Sequence, residues 1–186
     1  MKTLLLALAA SASILSAETP PAAPEQAPAV IVDEKIAAEN RAKAKAAWDA
    51  DQKSLGDKEF AEMEKDYQEI NTNYKSPQVK QLLTQFIAKW KKGNRVGCAT
   101  LYLAQKSGGA AQEALLKKCT EEFSDSYYLD GTQVGGLARL FLADFYKKAG
   151  KSAQVKTLAT ELRKEFPNAQ DHSRRSITEL LKAVEK

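Results

Sequence analysis

The spacing of apolar and polar positions changes character along the chain. Residues 4–17 are mostly apolar or small, residues 18–32 are dense in proline and alanine, and from Asp33 onward apolar residues recur every three or four positions, the period of a helix. Asp33 to about Ser54 predicts a charged helix with a thin apolar face of Ile36, Ala44, Ala47 and Trp48, interrupted at Gly56. Beyond it Phe60, Met63, Tyr67, Ile70 and Tyr74 follow at spacings of 3, 4, 3 and 4, one stripe on one helix. The run is short for a self-standing coiled coil. It either docks on the rest of the chain, the favoured reading, or forms the seam of a weak homodimer. Ser76–Pro77 predicts the next helix start, with serine as N-cap and proline at the first helical position. A wide stripe from Val79 to Trp90 follows, closed by Lys89, Lys91, Lys92 and Gly93, where cations answer the negative end of the helix dipole.

One helix face is then written twice. ATLYLA (Ala99–Ala104) returns 39 residues later as ARLFLA (Ala138–Ala143). Each copy belongs to an almost uncharged helix, followed by a glycine turn and a half-charged helix that ends in Phe123 or Phe166. An uncharged helix is covered on most sides, and a half-charged one faces water on one side. Alternation of the two kinds is what stacked helical hairpins require. In the second pair, small Ala143, aromatic Tyr146, turn Gly150 and closing Phe166–Pro167 resemble the tetratricopeptide-type repeats of bacterial cell-envelope proteins. Val155 and Ala159 depart from that pattern, where the family expects a small residue and an aromatic. The resemblance covers about half the chain beyond the linker. It implies a short right-handed array with a concave groove that binds peptides or proteins. The helix pair from Gly56 to Trp90 is the candidate for a degenerate first unit.

MKTLLLALAASASILSA, with an early lysine, an apolar run and small residues at its end, has the build of a secretory signal peptide cut after Ala17. The run is too short to span a bilayer, which needs about 20 residues, so the expected location is periplasmic or secreted, with no integral membrane span after cleavage. Glu18 to Ala29 holds four of the six prolines, which exclude helix or central strand and predict an extended spacer. The expected organisation is a signal peptide (1–17), a Pro/Ala-rich linker (18–32), a charged helical extension (33–75) and an all-α repeat domain (76–186).

A net charge of +4 with both signs interleaved, and no dense basic block, argues against nucleic-acid binding. A single histidine, His172, excludes a multi-histidine metal site, and no phosphate loop, nucleophile elbow or cofactor motif occurs. His172 precedes the last helix, where Asp171 or Ser173 can cap. Cys98 and Cys119 flank the Gly108–Gly109 turn almost symmetrically, which sets them at similar height in an antiparallel hairpin. A disulfide between them is geometrically open, worth roughly 3 kcal/mol if unstrained; two separate buried thiols are the alternative. The long connection Ser124–Gly136 carries Tyr127, Tyr128 and Asp130. These either form a contact patch, since tyrosine offers area and a hydroxyl at small entropic cost, or cover the end of the core. The chain is thus expected to be a non-enzymatic scaffold for a protein or peptide partner. A small envelope hydrolase using Asp125, Asp130 or Asp144 as acid and base is the alternative.

Overall fold

The computed structural model describes residues 30–186; the assignments made above for the leader and for the proline-rich stretch through Ala29 lie outside them. The described residues form eight helices and no sheet: α1 (Glu34–Leu55), α2 (Asp57–Thr72), α3 (Val79–Trp90), α4 (Asn94–Gln105), α5 (Gly109–Glu122), α6 (Val134–Lys148), α7 (Ser152–Glu165) and α8 (Ile177–Glu185). None of these helices is long and apolar enough to cross a membrane.

Helix α1 begins and ends where the residues dictate. The Asp33 carboxylate accepts the Lys35 N–H at 2.8 Å, and Gly56, at φ 78°, provides the left-handed stop. The α2 stripe docks: Phe60, Met63, Tyr67 and Ile70 are buried against Leu83, Phe86 and Val96, with Trp48 of α1 set edge-on to Phe60 at 4.8 Å. The homodimer seam expected as an alternative is therefore corrected. Four of its five residues are spent inside the chain, and only Tyr74, past the end of α2, is half exposed. The same core crosses the 75/76 boundary, so α1 and α2 share it with the helices that follow. A second correction concerns the start of α3. Ser76 and Pro77 form a turn instead, in which the Ser76 hydroxyl accepts the Gln78 N–H and its carbonyl accepts the Val79 N–H, both at 3.1 Å.

Helices α4 and α6 are buried along nearly their whole length, whereas α5 fully buries only Leu116 and Cys119. Each helix from α3 to α7 packs on the next. The two hairpins repeat in detail. Gly97 of α4 lies so close to Phe123 and Ser126 that a Cβ would stand 2.4 Å from the Ser126 hydroxyl; Gly136 of α6 meets Phe166 and Ala169 in the same way, with a Cβ 2.8 Å from that of Ala169. The connections behind α5 and α7 share one hydrogen-bond scheme at an offset of 43 residues. The Gly131 N–H donates to the Tyr128 carbonyl and the Arg174 N–H to that of Asp171, each at 2.9 Å. Single β-bridges join Tyr127 to Gln133 and Gln170 to Ser176.

The charged helix α1 is no mere extension. It runs across the N-terminal ends of α4, α6 and α8 in turn. The buried Asp51 carboxylate accepts the Asn94 and Arg95 N–H groups at 2.9 and 3.2 Å, capping α4 from 43 residues away. Helix N-termini leave such donors without intrahelical partners, and a carboxylate there also meets the positive end of the dipole. Gly131, before α6, abuts the backbone at Asn40 and Arg41. Asn40 donates its side-chain amide to the Asn168 carbonyl at 2.9 Å, and Val32 donates its N–H to Arg174 at the same distance, before α8.

Cys98 and Cys119 are both buried and both free, so no bridge joins the hairpin in this structure. Burial pushes the Cys119 thiol up to about 12 and Cys98 higher still, which keeps both protonated and unreactive. A thiol reagent is expected to label neither cysteine in the native protein and both in denaturant without reductant. Labelling that needs prior reduction would reveal a bridge.

Candidate functional site

Helices α2 and α4 diverge around a cavity of about 590 Å³, within the range typical of ligand pockets. Tyr67, Gln68 and Asn71 of α2 form one wall, and Arg95, Tyr102 and Gln105 of α4 the other. Tyr74 stands at one end, and Tyr128, Leu129, Asp130 and His172 close the opposite side. A second cavity of about 420 Å³ lies between α6 and α8. It shares Gln105 and His172 with the first, and a third of about 230 Å³ links Gln105 to Phe141, Asp144 and Lys148. Together they make one groove across α2, α4, α6 and α8.

The repeat builds its floor. Tyr102 and Phe141 occupy the same place in ATLYLA and ARLFLA, and each is only partly covered while its neighbours are buried. Gln105 and Asp144, three residues further, are equivalent in the same way, so each hairpin presents an aromatic and a polar side chain from one helix face to the groove.

The sequence-predicted contact loop divides. Tyr127 is buried and covers the core: its N–H donates to the Asn94 side chain at 2.6 Å, and the Asn94 amide donates to its carbonyl at 2.9 Å. Tyr128 and Asp130 line the groove, and Leu129 beside them is exposed. The Tyr128 hydroxyl donates to the Cys98 carbonyl at 2.8 Å, and its ring meets His172 edge-on at 4.6 Å. Asp130 holds His172 Nδ1 at 2.7 Å and accepts the Thr132 N–H at 2.9 Å. Burial alone would raise the Asp130 pKa; the bonds to His172 and Thr132 outweigh it and hold the carboxyl below its usual range. Asp171 caps its own turn, accepting from Ser173 and Arg175, and α8 starts later, at Ile177. The three aspartates considered for acid–base chemistry are not gathered in one cavity. Asp130 lines the first and Asp144, paired with Lys148, the other two, while Asp125 lines none of the three.

Arg95 is the buried charge of the site. It forms a bidentate pair with Glu64 at 2.5 and 2.7 Å and lies 4.7 Å from the centre of the Tyr67 ring. Tyr67 is itself 6% exposed, and burial raises its pKa well above the ordinary phenol value, so the hydroxyl stays a donor. It has no hydrogen-bond acceptor among the described residues, and neither do the side-chain amides of Gln68, Asn71 and Gln105. Among the described residues no group of three or more His, Cys, Asp or Glu side chains is placed to hold a metal ion. Sequence reasoning missed Tyr67 as a groove residue, and missed Tyr102, Arg95 and His172. Only Tyr102 had a legible signal, the aromatic repeated within two otherwise aliphatic motifs. Comparison of the chain with protein families, with curated proteins and with solved structures finds no match.

Proposed function

We infer that the protein is an exported, non-enzymatic binding module of tetratricopeptide-like helical hairpins, whose groove takes an extended peptide or protein segment. The observation that carries this reading is the run of adjoining cavities to which successive hairpins present equivalent side chains, Tyr102 with Gln105 and Phe141 with Asp144. An extended chain repeats its groups at a regular interval, and a row of aromatic and polar side chains at a regular helix spacing is matched to it. Tyrosine-rich linings supply large contact area with few rotors to freeze. The groove's charged side chains mostly bond within the protein, Arg95 to Glu64, Asp130 to the His172 ring and Asp144 to Lys148. That favours a ligand bound by its backbone and apolar side chains over a highly charged one. Export rests on the signal-peptide pattern before Ala17.

The test uses protein recovered from the envelope fraction, its N-terminus read by mass spectrometry and expected at Glu18, against an array of peptides of varied composition. Peptides selected by the wild type are expected to bind the Tyr102→Ala, Phe141→Ala double variant at least tenfold more weakly, with helical content unchanged. Absence of peptide binding, or binding indifferent to both rings, would overturn the reading.

A further inference from the structure

We propose that the cavity lined by α2 and α4 selects an asparagine or glutamine side chain of the bound segment, read by Tyr67 and Arg95. This rests on the groove being a peptide site and names what that site prefers.

Buried polar groups normally have a partner, and one left without pays for its lost water. Tyr67 is 6% exposed and lines the cavity, yet its hydroxyl has no hydrogen-bond partner among the described residues. Its neighbours differ. The Tyr102 hydroxyl donates to the Tyr74 carbonyl at 3.1 Å and the Tyr128 hydroxyl to that of Cys98 at 2.8 Å, so these two side chains offer the cavity mainly their rings. Arg95, 5% exposed, spends Nε and Nη2 on Glu64, and its Nη1 has no partner among the described residues. The unpartnered atoms that are sealed from solvent are others, Trp48 Nε1 and Arg174 Nε among them. The Tyr67 hydroxyl and Arg95 Nη1 are therefore open at the cavity their side chains line.

The charges around this donor pair decide what answers it. The lining sets Arg95 against two carboxylates, Glu64 and Asp130, with the His172 ring already bonded to Asp130. A ligand carboxylate would satisfy the donors but bring a third negative charge into a part-buried site, and like charges so placed repel at a cost. An ammonium group carries no acceptor, and an aliphatic side chain carries none either, so both would leave the donors unanswered. A carboxamide is neutral. Its oxygen accepts two bonds, from the Tyr67 hydroxyl and Arg95 Nη1, and its NH2 donates two, for which Glu64 and Asp130 keep lone pairs. The backbone amide has the same groups, but it recurs at every residue of a peptide, whereas this donor pair occurs once along the groove. In the α6–α8 cavity the side chains of Leu137, Leu140, Phe141 and Leu180 stand instead, and Arg175 is bonded to Asp171. A feature present once in the groove reads a group present once in the ligand. Discrimination of this kind is strong, because a ligand lacking the group leaves buried donors unpaired.

The experiment takes a peptide selected on the array and replaces each residue in turn by Gln, Glu, Lys and Leu. Each peptide is titrated by fluorescence against the full chain, against Tyr67→Phe, and against the Glu64→Leu, Arg95→Met double variant. At one position Gln is expected to bind the wild type at least tenfold tighter than Glu, Lys or Leu. Tyr67→Phe is expected to weaken the Gln peptide about tenfold, to leave the Leu peptide unchanged, and to keep or raise the urea midpoint, since the lost hydroxyl bonds nothing in the free protein. The double variant is expected to erase the preference. A lowered urea midpoint with affinity intact would overturn the proposal, because the hydroxyl would then serve the fold. Equal binding of all four peptides at every position, still dependent on Tyr102 and Phe141, would sink this inference and leave the groove reading standing. Failure of every peptide would sink both. So would chitotriose bound in their place, sugar hydroxyls being another neutral group that both donates and accepts.

Discussion

Asn94→Ala is expected to destabilise the protein by about 2–4 kcal/mol and to loosen the groove's far wall. The Asn94 side chain accepts the Tyr127 N–H and donates to the Tyr127 carbonyl, all within the buried interior. Its removal strands both backbone groups, and an unsatisfied buried donor or acceptor costs roughly 1–3 kcal/mol. In a chain of this size each kcal/mol lowers Tm by about 2–4 °C. The stranded amide is the sharper readout, because Tyr127 precedes the groove residues Tyr128, Leu129 and Asp130 directly. Hydrogen exchange at Tyr127 N–H should accelerate far more than at the α7 amides, and unchanged protection there would contradict the assigned role.

Glu64→Leu is expected to cost about 3–5 kcal/mol, the usual penalty for leaving a buried charge without its partner. Arg95 is 5% exposed, lies against the Tyr67 ring, and has Glu64 as its bidentate acceptor. Adding Arg95→Met should recover much of the loss, since well-packed apolar residues often replace a buried ion pair at little net cost. Urea midpoints at constant m-value measure both steps. A double variant less stable than the single one would show the arginine contributing more through packing than its charge costs.

The difference between what could be read in the residues and what could not follows from locality. Asp33 and Gly56 frame α1 because caps and left-handed stops act within a few residues, and the α2 stripe was legible from its period. The uncharged character of α4 and α6 announced their burial, and the doubled motif announced the hairpins. Ser76–Pro77 misled because the same residues that start a helix also make the turn two residues earlier. The site was less legible. Asp51 and Asn40 sit in a helix whose composition reads as solvated, yet both are buried because they bond groups 43 and 128 residues distant. His172 looked like a loop residue and is one; that it grips Asp130 across 42 positions is decided by the 43-residue offset of two connections, which only the folded hairpins reveal. The same offset places Arg174, at φ 62°, where the earlier connection has Gly131 at φ 91°. No residue-type rule would have paired an arginine with a glycine.

The bonds from Val30 and Val32 to Ser176 and Arg174 have a mechanical meaning. A row of hairpins free at both extremities frays from them, because a terminal unit has one neighbour to lose and an inner unit two. Here the first described residues are stitched to the entrance of the last helix, and the long helix between spans the row like the string of a bow. Neither extremity can peel away without breaking these bonds, so the two ends are expected to open together and not one at a time.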